Sequence, residues 1–71
     1  MKFICIGAGS IGKRHIRNLV SIGVSPLDIT AVDPREDRLQ EVENIGVSAT
    51  HLSLEEALVS KSFDAGIICS P

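Results

Sequence analysis

Residues 2–12 read Lys2-Phe3-Ile4-Cys5-Ile6-Gly7-Ala8-Gly9-Ser10-Ile11-Gly12. A short apolar run, Phe3 to Ile6, breaks into Gly-x-Gly-x-x-Gly, and a helical pattern begins inside the glycines. This order predicts a buried strand feeding a tight turn that opens onto a helix. The first amide N–H groups of such a helix have no partner within it and together carry about half a positive charge. An anion, most often a phosphate, is favoured there. Each glycine has its own expected task. Gly7 permits the turn, Gly9 removes the Cβ that would block a pyrophosphate, and Gly12 lets helix and strand pack closely. Gly-rich turns are common, so the glycines alone say little. A strand before them, a helix after them and an acid further on make the stretch a signature of a dinucleotide-binding βαβ unit. The competing reading is an ordinary strand-to-helix turn that binds nothing.

Working outward, the helix is expected from about Ser10 to Ile22. Ile11, His15, Ile16, Leu19, Val20 and Gly23 recur at spacings of three and four on one face. Gly23 is a C-terminal stop, and Pro26 prevents continuation. Asp28 to Val32 reads as a second strand. Asp33-Pro34 then opens a helix with Pro34 at its first position, Leu39, Val42 and Ile45 facing inward, and Gly46 at its end. Val47 to Thr50 reads as a short third strand. Ser53-Leu54-Glu55-Glu56 is a capping box that starts a short helix with Leu54, Ala57 and Leu58 on its apolar side. Phe63 to Cys69 is nearly continuously apolar, the pattern of a parallel strand buried on both faces.

The strict alternation predicts an α/β fold: a Rossmann-type parallel sheet with right-handed crossovers, partial, of about four strands in the order 3-2-1-4. That order puts the fourth strand on an edge beside the first. A two-sided apolar edge is a template for aggregation. The expectation is a piece of a larger protein whose edge is covered by self-association, hence a homo-oligomer.

Asp33 follows Gly12 by twenty-one residues, at the carboxyl end of the second strand. A carboxylate at this place accepts hydrogen bonds from the adenosine ribose hydroxyls. Asp33-Pro34-Arg35-Glu36 also fits a capping box with Asp33 as N-cap. Position favours the ribose role. A carboxylate here repels a 2′-phosphate, so NAD is the expected cofactor and NADP the alternative. Arg35 bears on that choice, because a guanidinium can hold a phosphate bidentately; its competing reading is a solvated helix residue. Lys13, Arg14, His15 and Arg17 form a basic cluster in the first turns of the opening helix, a solvated face on the simpler reading. His15 falls on the apolar stripe and reads as a partly buried structural histidine. No nucleophile is paired with a base, and His51 has no evident partner.

The chain has 71 residues, 44% of them hydrophobic and 23% charged, with no repeat and no low-complexity stretch. A domain this short buries only about 60% of the surface that its unfolded chain exposes, so stability is marginal. A net charge of −2 and two aromatic residues, both Phe, argue against nucleic acid, which calls for a basic patch. No apolar run approaches the ~18 residues of a membrane span, and with a strand at Lys2 and no apolar h-region or cleavage site, a signal peptide is not expected. The expected compartment is the cytoplasm. Cys5 and Cys69 lie inside apolar runs and read as core thiols of a reducing compartment. No His or Cys spacing points to a metal.

Four stretches together resemble the Gfo/Idh/MocA family, the group of glucose–fructose oxidoreductase and inositol dehydrogenase. Gly7-Ala8-Gly9-Ser10-Ile11-Gly12-Lys13-Arg14-His15 is similar to its glycine fingerprint, and Val32-Asp33-Pro34 to its acid-bearing strand end. Leu52-Ser53-Leu54-Glu55-Glu56-Ala57-Leu58 resembles its short third helix. Asp64-Ala65-Gly66-Ile67-Ile68-Cys69-Ser70-Pro71 resembles the segment closing its fourth strand. The resemblance covers essentially the whole chain, in order. It implies an N-terminal part of an NAD(P)-binding domain, with the remaining strands and a C-terminal substrate domain beyond residue 71. It further implies an oxidoreductase acting on a small-molecule sugar or cyclitol substrate, with Ser70 and Pro71 along the nicotinamide-ribose side of the cofactor. The expected cofactor-binding residues are thus Gly7, Ala8, Gly9, Ser10, Ile11, Gly12, Asp33 and Arg35, joined by Ser70 and Pro71. No residue of the chain is expected to be catalytic, and the chain alone is expected to be inactive. The alternative is a non-catalytic module that senses NAD(H); a third option keeps the fold and takes FAD or a methyl donor.

Overall fold

The structure is a computed structural model and describes residues 1–60 and 62–69. Its elements alternate: β1 (Phe3–Ile6), α1 (Ser10–Ser21), a 3-10 turn (Pro26–Asp28), β2 (Ile29–Val32), α2 (Glu36–Glu43), β3 (Ala49–His51), α3 (Leu54–Ser60) and β4 (Ala65–Ile68). All four strands are parallel, in the order β3-β2-β1-β4. The sheet is the expected four-strand, Rossmann-like α/β arrangement. In register, Phe3, Ile4, Cys5 and Ile6 face Ile29, Thr30, Ala31 and Val32 on one side and Ala65, Gly66, Ile67 and Ile68 on the other.

Side chains alternate across a strand, so the sheet has two core layers. On one face Cys5, Ile29 and Ala31 pack with Ile16 of α1 and with Leu39 and Val42 of α2. On the other, Ile4 and Val32 pack with Ala57 of α3. Helices therefore cover both faces, and β2 is buried at every position.

Packing shifts several boundaries. The inward stripe of α1 is Gly12, Ile16, Leu19 and Val20; Ile11 is 62% exposed and His15 is exposed, not partly buried. Backbone contact at Gly12 sets this rotation. An ideal Cβ there would stand 2.0 Å from the Gly7 carbonyl oxygen, so that side of the helix is pressed against the turn. Strand β2 begins at Ile29, because Ser25 Oγ accepts from the Leu27 amide at 3.2 Å and draws Pro26–Asp28 into the 3-10 turn. Helix α2 starts at Glu36, not at Pro34; its N-cap is Arg35, and the Asp33 carboxylate is spent elsewhere. Val47 is a core residue ahead of β3, which is displaced to Ala49–His51. The largest correction concerns β4, which is mostly exposed rather than buried on both faces: Ile68 is 76% exposed. It is an edge strand, and α3 packs over β1 and β2. Helix α3 is likewise less buried than its apolar pattern implies, with Leu58 56% exposed.

Candidate functional site

The carboxyl ends of the parallel strands converge on the glycine turn. The Gly7 amide donates to the Val32 carbonyl at 2.7 Å and extends the β1–β2 ladder by one bond. The chain then bends with Gly7 at φ +99°, a conformation that L side chains rarely adopt. Gly9 caps α1 with φ −72° and ψ −163°. The cap has no side chain, and the first turn of α1 carries no acidic residue. Helices α2 and α3 each carry two acids there, Glu36 and Asp37, and Glu55 and Glu56. The first turn of α1 thus supplies no acid of its own to offset its positive end.

Beside it lies a cavity of about 380 Å³ whose rim includes Gly7, Gly9, Ser10, Asp33, Arg38 and Cys69. Of the residues expected from the sequence, Gly7, Gly9, Ser10, Ile11 and Asp33 border this cavity. Gly12 is buried beneath the turn, and its role is helix-to-strand contact. Ala8 is fully buried, and its amide is already used. Arg35 does not border the cavity: its Nε and Nη2 donate to the Asp37 carboxylate at 3.2 and 2.8 Å. Ser70 and Pro71 lie outside the described residues.

Asp33 is the most heavily engaged polar group in the site. It is 2% exposed; Oδ2 accepts from the Ala8 amide at 2.8 Å and Oδ1 from the Arg35 amide at 2.9 Å. Arg38 Nη1 approaches Oδ2 at 3.4 Å. Burial pushes the carboxyl pKa up, but the two amides and the Arg38 guanidinium outweigh it and hold Asp33 below its ordinary value. Asp33 therefore remains ionised at neutral pH and fastens the glycine turn to the end of β2. It does not cap α2.

Arg38 is the residue the sequence reading did not single out. Its side chain is 37% exposed, and its guanidinium carbon lies 3.6 Å from where a Cβ on Gly9 would stand. Arg38 lies five positions after Asp33, a spacing with no motif value, and only the packed fold shows it at the strand ends. Within the basic cluster, Lys13 pairs with Glu41 and ties α1 to α2, while Arg14 and Arg17 are exposed. Below the turn, the Cys5 thiol donates to the Gly7 and Gly12 carbonyls at 3.4 and 3.8 Å. Burial and the neighbouring Cys69 thiol push its pKa up to about 12, so Cys5 is an unreactive core thiol at neutral pH.

Among the described residues, no group of three or more His, Cys, Asp or Glu side chains is placed to hold a metal ion. None of the helices in the described residues is long and apolar enough to cross a membrane. No protein-family model, curated protein or solved structure matches the chain.

Proposed function

We propose that the chain is the nucleotide-binding part of a nicotinamide-dependent oxidoreductase, with the cofactor's diphosphate against the Gly7–Gly12 turn and the start of α1. One observation carries the reading: the fold itself accounts for Gly7 and Gly12, but not for Gly9. Gly7 needs its positive φ, and Gly12 has no room for a side chain. Gly9 sits at φ −72°, open to any residue, and a Cβ there would make only ordinary contact with Arg38 at 3.6 Å. Helix N-caps favour Asn, Asp and Ser, with Thr and Gly next, but of these only Gly brings no side-chain acceptor for the first amides. A bare cap leaves the first amides of α1 open, and a phosphate close to the backbone is what calls for one.

The cavity supports the same reading, since its rim joins Gly7, Gly9 and Ser10 at the start of α1 to Arg38 of α2, which pairs with Asp33 at the end of β2. When bound, the nicotinamide would accept or supply a hydride. The residues of this chain bind and orient it. The resemblance noted above extends the proposal to a sugar, cyclitol or related hydroxyl or carbonyl substrate held by a further domain. On this reading the chain alone binds coenzyme without turning it over.

Calorimetric titration with ADP-ribose, using adenosine as control, tests the proposal. ADP-ribose should release heat and adenosine should not. Gly9→Ala should shift the melting midpoint by no more than about 4 °C, the effect of roughly 0.5 kcal/mol in a chain this small. It should weaken ADP-ribose about tenfold or more, equivalent to roughly 1.4 kcal/mol. Absence of heat with ADP-ribose overturns the reading, and undiminished binding by Gly9→Ala removes its basis.

A further inference from the structure

We infer that Cys5 and Cys69 form a reversible disulfide when the chain meets a peroxide, and that this bond loosens the glycine turn and weakens the coenzyme's hold. The effect on the coenzyme rests on the reading above; the disulfide itself does not. Cys5 and Cys69 are the chain's two cysteines, and both thiols are free. In register Cys5 faces Ile67, and Cys69, two positions on, lies on the same face of the sheet. The Cys69 amide donates to the Ile6 carbonyl at 2.7 Å, so the parallel ladder holds it one rung beyond β4. Cys69 packs against the core cluster that contains Cys5, and the two thiols are close enough to hydrogen-bond.

The two sulfurs differ in access. Cys5 is buried beneath the turn, whereas Cys69 is only partly buried and borders the cavity. A peroxide entering the cavity therefore meets Cys69 first. The Cys69 sulfur attacks one peroxide oxygen, the O–O bond breaks, and the other oxygen leaves as water with the thiol proton. Cys69 is then a sulfenic acid. The Cys5 sulfur attacks the Cys69 sulfur, the S–O bond breaks, and the hydroxyl leaves as a second water with the Cys5 proton. Two thiols are oxidised to one disulfide, and the peroxide is reduced to two waters. Cys5 is a weak nucleophile, but its target is already in place beside it.

Cys5 gives up its proton in forming the bond. As a thiol it donates to the Gly7 and Gly12 carbonyls at 3.4 and 3.8 Å, the two ends of the glycine turn. A disulfide sulfur has nothing to donate. Two positions of offset along a strand also set the residues farther apart than a directly opposed pair. Closing the bridge therefore draws the end of β4 toward β1 and takes Cys69 off the cavity wall. A bridge that strains the backbone is more readily reduced, which makes the step reversible.

Treating the reduced chain with hydrogen peroxide at neutral pH, then reading its mass and a non-reducing peptide map, tests the inference. The mass should fall by two hydrogens, one fragment should join Cys5 to Cys69, and dithiothreitol should restore both thiols. Cys69→Ser should leave Cys5 reduced under the same treatment, and Cys5→Ser should stop at a sulfenic acid on Cys69 that dimedone traps. The oxidised chain should bind ADP-ribose about tenfold more weakly than the reduced one. Oxygen gained at Cys69 with Cys5 still reduced overturns the inference, as does a disulfide found only between two chains. A disulfide that leaves ADP-ribose binding unchanged overturns the link to the cavity. No heat with ADP-ribose from the reduced chain removes the coenzyme reading and that link with it, while mass still decides the disulfide.

Discussion

At the scale of single residues, Gly12 is the one the fold can least exchange. A Cβ at Gly12 would lie 2.0 Å from the oxygen and 2.9 Å from the carbon of the Gly7 carbonyl, and both are backbone. Ordinary overpacking costs about 1–3 kcal/mol because side chains can give way. Here the helix would have to leave the strand, so Gly12→Ala should cost more than that. A chain of this size has roughly 4–11 kcal/mol in total at typical stability per residue. A chemical denaturation curve decides it, and a loss under about 1 kcal/mol would mean that the turn yields easily. The tasks of Gly7 and Gly12 were legible in the sequence because each depends on neighbours within a few residues. The partners of Asp33 were not. Its nearest amide donor, Ala8, is twenty-five residues away, and no spacing rule links a carboxylate to a main-chain N–H across a sheet.

At the scale of elements, α1 shows how local chemistry ends a helix. Gly23 adopts φ +103°; its amide donates to the Val20 carbonyl and that of Val24 to Leu19, the paired bonds of a Schellman motif. Nothing lies within 4 Å of a Cβ built on Gly23, so Gly23→Ala isolates the backbone cost. That cost should be about 1–2 kcal/mol, read as a lower denaturant midpoint with an unchanged slope. A changed slope would point to wider unfolding. Stops of this kind are written in the sequence, and α1 ends within one residue of where Gly23 places it. Starts were less legible. Asp33-Pro34 has the composition of a helix opening, yet α2 waits until Glu36, because the Asp33 side chain bonds the glycine turn. In α3 the Ser53 hydroxyl does accept from the Glu56 amide, at 3.3 Å, as its capping sequence implies.

At the scale of the whole molecule, Asp33 joins three elements: it follows β2, fastens the turn after β1, and receives the Arg38 side chain of α2. Its protonation should therefore register in global stability. The native pKa is lowered, so the unfolded chain takes up a proton first as pH falls. The contribution is complete above the unfolded value of about 3.9 and is lost as pH drops through the lower native value. Stability should fall with acid across that window. Asp33→Asn should be less stable at neutral pH but show a flatter acid limb. Parallel curves for the two chains, followed by denaturant midpoint against pH, would deny Asp33 that role. The exposed Arg35–Asp37 pair also lowers a carboxyl pKa but is open to solvent, so its share should be small.

The amino-acid sequence by itself determined the alternation of strand and helix, the parallel sheet in the order 3-2-1-4, and the bend at Gly7 that opens α1. These follow from hydrophobic period, glycine conformation and the handedness of crossovers, all of which act over short spans or apply to every such chain. Only the tertiary structure decided which side of α1 faces the sheet, that β4 is mostly exposed, and that Arg38 rather than Arg35 reaches the cavity. The first depends on the Gly7 carbonyl pressed against Gly12, a local backbone contact that no hydrophobic period records; the others depend on contacts between segments far apart in the chain, Ala8 against Asp33 and α3 over β1 and β2. A contact formed only when the sheet closes leaves no periodic mark on the residues that make it.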